Sequence, residues 1–525
     1  MDRAFRWMRI DVGFRADSVR RMSSITRFAA ALLVLCTPVA PALAQDGGDP
    51  TTDASAQEPT DWADTARRDV LAAYDAFVRN HPGIYDLANP GFPAQLAQAR
   101  ARGLEAAAKA QDLRGYSRAL AEFSAVLQDG HAGVGVPSGA QPDGEPVWPG
   151  FIAVWRGDGL FVRTQDKADP LYGARFVSCE GEPIDAFLRD RLTMRYFRPN
   201  EAGQWWVRPM QLFYASSGLQ EEQPRSCTFA RSDGAQTEVT LDWRPLSEDE
   251  EKWRSIGFWG EREPTALSEK RDGIYFIGLQ DFDPDEAGVA AFDALYADVR
   301  ARRGELKDAR ALVLDLRRNG GGGSRWSERL ADILWGEGAV EARTASSADV
   351  LWRTSPGNTA YIASAEADFR ANGDDEVADF IARLAEGMRA AHERGEVFFA
   401  ESTLEDETAE AAGGTPASPE TDFATPVYVI VPGNCASACL DALDYFTPFE
   451  NVTLIGAPSS ADSTYMDVRS EDLPAGPGIV TIPIKVYVGR KRGWGEVYPA
   501  DIETTDLDWS TSAFLDAIEA DLAAR

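Results

Sequence analysis

The run Val427-Tyr428-Val429-Ile430-Val431, the breaker Pro432-Gly433 and then Asn434-Cys435-Ala436-Ser437-Ala438-Cys439 constrain this chain more than any other stretch. Five β-prone apolar residues, a turn pair, and apolar positions Ala436, Cys439, Leu440 and Leu443 at three- and four-residue spacing predict a strand, a tight turn and a helix. Ser437 then falls in the first turn of that helix. Unpaired backbone N–H groups and the positive end of the helix dipole favour negative charge there, so an oxyanion formed on Ser437 is stabilised where it forms. Serine is also a common helix cap, and only other segments of the chain separate a nucleophile from a cap.

One such segment is Ala311-Leu312-Val313-Leu314-Asp315-Leu316-Arg317-Arg318-Asn319, which runs into Gly320, Gly321, Gly322 and Gly323. A buried strand followed by glycines lets backbone amides approach a ligand closely, because glycine has no Cβ and tolerates positive φ. The loop lacks the Lys-Ser or Lys-Thr of a phosphate loop and the spacing of a dinucleotide fingerprint. It suits an oxyanion.

Taken in order, Asp-Leu-Arg-Arg-Asn-Gly-Gly-Gly, Cys-Ala-Ser-Ala-Cys, Ile455-Gly456-Ala457-Pro458 and Gly495-Glu496-Val497-Tyr498-Pro499-Ala500-Asp501 resemble the tail-specific (C-terminal processing) serine peptidases, a family that includes the catalytic core of tricorn protease. The resemblance covers roughly the last half of the chain and the segment around His131. It implies an α/β fold, a ClpP/crotonase-like spiral of ββα/βαβ units, and a peptide or protein substrate. Ser437 would be the nucleophile, with amides of Gly320 or Gly321 and Ala438 as the oxyanion hole.

In the Ser-Lys branch of that family a lysine beyond the Gly-x-Pro turn is the general base, and the matching position here is Asp462. An aspartate cannot supply a neutral amine. The chain has three histidines, and His131, in Leu127-Gln128-Asp129-Gly130-His131, resembles the Leu-x-Asp-x-His motif of the non-lysine branch. An imidazole with a pKa near 6.5 can take and return a proton around neutrality. His81 and His392 have no comparable neighbours. By the same resemblance Glu496 would position the active-site network as a third member, since a carboxylate can orient an imidazole without being protonated. Two rivals stay open: a non-catalytic peptide- or ligand-binding protein that keeps the fold without the base, and a crotonase-like acyl-CoA enzyme.

The 525 residues carry a formal net charge of −31, which argues against nucleic-acid or anionic-membrane partners. No histidine or cysteine spacing suggests a metal, and no cofactor is called for. Residues 1–44 read as a signal peptide, with Arg27 ahead of the apolar run Phe28 to Leu35 and Ala42-Leu43-Ala44 as the cleavage signal; Met22 is an alternative start. No other run is long enough to span a bilayer. Residues 45–60 read as a disordered leader and 61–140 as a helical domain that caps the cleft and delivers His131. Residues 145–246 read as a β-rich domain with a degenerate resemblance to peptide-binding PDZ modules, and 268–525 as the catalytic domain, with an insertion at about 340–422 that is either a lid or surface filler. The acidic run Glu248-Asp249-Glu250-Glu251 reads as a solvated linker.

Apart from Cys36, four cysteines remain in a chain addressed to a disulfide-permissive compartment. Cys179 and Cys227 could staple the middle domain. Cys435 and Cys439 flank Ser437 and could be bonded, or packed as free thiols. The signal pattern makes a concrete expectation: amino-terminal sequencing of the exported protein finds Gln45 first, and a Met1 or Met22 terminus would refute it.

Overall fold

The computed structural model describes residues 60–525 except 193–196, 218–222, 345–348, 372–374 and 405–419. The expected signal peptide, nearly all of the leader and Cys36 lie outside the described residues. A six-stranded sheet runs in the order Leu267–Arg271, Ile274–Gly278, Ala311–Asp315, Val427–Val431, Val452–Gly456 and Ile502–Glu503. The first pair is antiparallel and the rest are parallel. Strands Ile274–Gly278, Ala311–Asp315 and Val427–Val431 are buried at every position, as a parallel sheet covered on both faces requires.

On one face, Phe292, Leu295, Tyr296 and Val299 of helix Glu286–Lys307 pack with Leu330, Leu334, Leu440 and Leu443. On the other, Trp148, Trp206, Phe258, Trp509 and Phe514 form a second apolar layer. The expected α/β architecture is therefore present, and its strand ends carry both of the motifs singled out in the sequence.

A second sheet pairs Gly133–Gly135, Ile479–Val488, Asp349–Arg353 and Phe398–Ala400 side by side, with Tyr465–Asp472 also pairing Ile479–Val488. The amino-terminal helices Trp62–Asn80, Phe92–Ala107 and Leu113–Leu127 pack Phe77, Leu120 and Phe123 against Tyr465, Val480 and Ile482 of this sheet. Helices Pro356–Ala371 and Asp375–Glu393 cover Trp352 and Ile484. The described part of the excursion between the glycine loop and Ser437 is thus woven into a sheet.

The middle segment forms an antiparallel sheet of Ile152–Arg156, Gly159–Arg163, Arg175–Cys179, Ser226–Ala230 and Gln236–Thr240, with Glu182–Pro183 on Arg175–Cys179. Cys179 and Cys227 face each other across adjacent strands and are bonded, with their Cα atoms 4.0 Å apart. The acidic run is not a linker. It opens helix Glu248–Trp259, in which Ser247 Oγ accepts the Glu250 N–H and Glu250 Oε2 accepts the Ser247 N–H. Four carboxylates sit in the first turn, where the helix dipole favours them, and Phe258 at the far end is buried.

His81 follows the first helix and is wholly buried, its ring stacked on Phe92 at 4.2 Å and its Nδ1 accepting the Gly83 N–H at 2.9 Å. Burial lowers its pKa from 6.5 to about 3. In the unfolded chain the imidazole takes a proton below about pH 6.5 that the folded protein refuses, so its stabilising contribution is present above that pH and is lost as pH falls towards 3. His81→Asn keeps an acceptor near Gly83 but does not titrate. Denaturant melts of the variant should show a stability curve flatter than wild type across this window, by up to about 1 kcal/mol per pH unit. Parallel curves would show that His81 is not the sensitive group.

Candidate active site

The strand Val427–Val431 leads into a turn in which Gly433 lies against Trp206; a Cβ there would come within 2.5 Å of Trp206 Cβ. Helix Ala438–Phe446 starts one residue after Ser437, which caps it at φ 55° and ψ −131°. The sequence pattern placed Ser437 inside the first turn; the structure puts it just outside, in a backbone region that a residue with a Cβ seldom adopts. Cys435 likewise precedes the helix and is bonded to Cys439 across the turn, with a Cα separation of 5.2 Å. That is shorter than the roughly 6 Å of two residues four apart within one helix. The Ser437 N–H donates to Asp462 Oδ2 at 2.7 Å, while its hydroxyl has no hydrogen-bond partner among the described residues.

Opposite lies the glycine loop, whose shape is set by the charged residues just before it. Arg317, with no exposed side-chain surface, clasps Asp315 through Nε at 2.9 Å and Nη2 at 2.8 Å, and reaches the Trp509 carbonyl at 2.8 Å. Asn319 donates from Nδ2 to the Leu279 carbonyl at 2.7 Å and accepts the Gly321 N–H at 2.9 Å. Asn434 in turn donates to the Asn319 carbonyl at 3.1 Å, which joins the loop to the nucleophile turn. The role of Asn319 was missed in the sequence. Its signal was there: an asparagine two residues before the amide it captures closes an Asx turn.

Of the three expected oxyanion donors, Gly321 has its N–H committed to Asn319. Gly320 and Ala438 have N–H groups without a partner among the described residues. Gly321 has another task. It sits at φ 114°, and a Cβ on it would lie 2.8 Å from Ser437 Cβ and 2.8 Å from the Ala436 carbonyl oxygen.

His131 enters from the turn after helix Leu113–Leu127, which ends at Gln128 in the left-handed region. Its backbone N–H donates to Asp129 Oδ1 at 2.9 Å, and its Nδ1 lies 3.8 Å from the same oxygen, buried and without a hydrogen bond. Asp129 Oδ2 accepts the Ser463 hydroxyl at 2.9 Å. Burial pushes the Asp129 carboxyl above its ordinary range, opposed by His131, Ser463 and Arg198. His131, Gly320, Ser437, Asp462 and Glu496 line one cleft of about 1700 Å³. No hydrogen bond links His131 to Ser437.

Glu496 lines the cleft without a hydrogen bond or ion pair to His131 or Ser437 among the described residues. It is exposed, and Oε2 accepts the Gly493 N–H of its own turn at 2.8 Å. Asp462, at the position matched to the family lysine, is buried, faces Arg492 Nη1 at 3.5 Å and holds the Ser437 amide. Arg490 and Arg492 also bind Asp441 and Asp444 on the nucleophile helix. Ser459 is tied to the Ser460 carbonyl and the Tyr498 N–H, and His81 is committed to the helical core. Among the described residues no group of His, Cys, Asp and Glu could hold a metal, and no helix is long and apolar enough to cross a membrane.

The contact between Gly321 and Ser437 is directly testable. Gly321→Ala places a methyl group 2.8 Å from Ser437 Cβ, closer than two carbons can pack, and should cost on the order of a hundredfold in reactivity of Ser437 towards a fluorophosphonate, as a displacement of about 1 Å does at a reacting group. Circular dichroism should remain that of the wild type. Unchanged labelling would mean that the loop does not set the position of Ser437.

Residues 274–503 match the model of peptidase family S41. A comparison with curated protein sequences found no match. Among solved structures, mature CPAF complexed with lactacystin is similar over 87% of this chain and 98% of that chain, at 13% identity and a TM-score of 0.57. Mature CPAF alone gives 87% and 96%, 13% identity and a TM-score of 0.56. The tricorn protease gives 88% and 37%, 12% identity and a TM-score of 0.34. The CPAF structures establish the likeness of fold, and the family match adds what their low identity cannot: residues 274–503 form a domain of the peptidase family S41 type.

Proposed function

We propose that the protein is an exported serine endopeptidase in which Ser437 is the nucleophile and His131 the general base. The observation that carries this reading is the Ser437 turn itself: a hydroxyl held in a disfavoured backbone conformation at a helix start, beside two amides, none of the three having a partner among the described residues. His131 takes the hydroxyl proton as Oγ attacks the scissile carbonyl carbon, and the carbonyl oxygen gathers negative charge facing the amides of Gly320 and Ala438. As the C–N bond breaks, the imidazolium returns that proton to the leaving amine. Water then repeats the cycle on the acyl-enzyme, giving a carboxylic acid and free Ser437. Export is supported by the signal pattern in residues 1–44 and by two disulfides, which persist in oxidising compartments.

Ser437→Ala should abolish both fluorophosphonate labelling and hydrolysis of unfolded casein while leaving the melting curve in place. His131→Ala should lower turnover by a factor on the order of a thousand or more. With the wild type, kcat/KM should rise with pH as the imidazole loses its proton, since only the neutral ring accepts the serine hydrogen. Wild-type turnover in Ser437→Ala would move the nucleophile elsewhere. A folded wild type that neither labels nor cleaves would favour the peptide-binding reading, which the replacement of the family lysine by Asp462 supports.

A further inference from the structure

Asp462 and Ser463 are adjacent in the chain and serve the two halves of the site. The Asp462 carboxylate accepts the Ser437 N–H at 2.7 Å, and the Ser463 hydroxyl donates to Asp129 Oδ2 at 2.9 Å while accepting the Tyr465 N–H at 3.0 Å. The other oxygen of Asp129 holds the backbone of His131 and faces its Nδ1 at 3.8 Å. Asp129 is thus a carboxylate with no exposed side-chain surface, placed beside the ring nitrogen that has no partner. Glu496 makes no such approach.

Resting on the assignment of Ser437 and His131 above, we propose that Asp129, rather than Glu496, is the carboxylate that orients His131, and that Asp462-Ser463 is a two-residue bracket fixing base and nucleophile relative to each other. A small rotation of the imidazole brings Nδ1–H onto Asp129 Oδ1. That fixes the tautomer with Nε2 unprotonated and available to the Ser437 hydroxyl, and it stabilises the imidazolium when the proton arrives. Ser463 keeps Asp129 from turning away. Asp462 keeps the Ser437 amide out of the oxyanion hole and pins the disfavoured turn. All three, Asp129, Asp462 and Ser463, act as positioning residues.

The other charged and titratable groups facing Asp129 are Arg198, which lies along Gly130 and is paired with Glu201, and Tyr465 on the strand below. Asp462 stands one residue from Ser463 and bears on Glu201. Among the described residues, Asp129 is the group paired with the His131 ring, at 3.8 Å.

The test is the rate constant for fluorophosphonate labelling of the full-length protein, measured across pH for wild type, Asp129→Asn, Glu496→Gln, Ser463→Ala and Ser463→Thr. Asp129→Asn should label slower by a factor on the order of a hundred to ten thousand, as loss of the right tautomer does. Its acid limb should move to lower pH by about one unit, because a neighbouring carboxylate favours the imidazolium and its removal releases the proton sooner. A residue that only supports the fold would lower the rate without moving the limb. Glu496→Gln should stay within about threefold of wild type, a change of under 1 kcal/mol in the barrier. Ser463→Ala should lose about tenfold and Ser463→Thr should recover it.

The proposal is overturned if Asp129→Asn labels within about threefold of wild type with its limb in place, or if Glu496→Gln falls as far as Asp129→Asn does. Should Asp129→Asn fail to fold, equal rates in wild type, Ser463→Ala and Ser463→Thr overturn it instead. A wild type that never labels at Ser437 removes the nucleophile, and the bracket with it; a labelled wild type with an indifferent Asp129 removes the bracket alone.

Discussion

A guanidinium with no exposed surface anchors the loop that faces the candidate nucleophile. Arg317 is fully buried, and its charge is met by the neighbouring Asp315 and, from distant parts of the chain, by Glu261 at 3.3 Å and the Trp509 carbonyl. Taking either partner of such a pair away leaves an uncompensated buried charge, typically at a cost of about 3–5 kcal/mol. The pair sits where strand Ala311–Asp315 ends, so the direction in which the chain leaves the sheet is fixed electrostatically rather than by packing alone. The glycine loop inherits that direction. Asn319 then sets its curvature, and Gly321 meets Ser437 at contact distance.

Docked across this arrangement is the middle segment. Gly203 fits so tightly that a Cβ would stand 2.2 Å from the Gly433 carbonyl oxygen, and Gln204 donates to Ser460 Oγ at 3.0 Å. Glu201 accepts the Ala461 N–H and pairs with Arg198, which lies along Gly130. One short stretch of the middle segment therefore touches the turn before Ser437, the segment before Asp462 and the loop before His131. The Asp315 clamp fixes one side of the site and this stretch braces the other.

Much of this was legible in the sequence, and what was not shares a cause. Strands such as Val427–Val431 could be read because full burial demands an unbroken apolar run, and the helix bearing Tyr116, Leu120 and Phe123 because its periodicity is clean. The acidic run at Glu248 misled because four like charges suggest solvation, whereas a capping box and a helix dipole turn the same charges into a helix start. The contacts that settle the site were out of reach for a different reason. Asp129 and Ser463 are 334 residues apart, Asn434 and Asn319 are 115 apart, and neither pair leaves a local pattern. Resemblance pointed to Glu496 as the third carboxylate; it lines the cleft, and which partner its side chain takes, here the Gly493 N–H, is a property of the folded turn that a sequence pattern does not carry.

The short strand Gly133–Gly135, which follows His131 directly, pairs antiparallel with Ile479–Val488, one of the last strands in the chain. Among the described residues it has no other neighbour in its sheet. The loop that carries His131 is therefore held against a partner that is synthesised more than three hundred residues after it. Ser437 and its disulfide turn can form before that strand exists, but His131 cannot be moored beside them until the carboxyl-terminal strands have been made and folded back. On the assignment proposed above, the nucleophile and its base come to share one cleft only after these late strands have folded back.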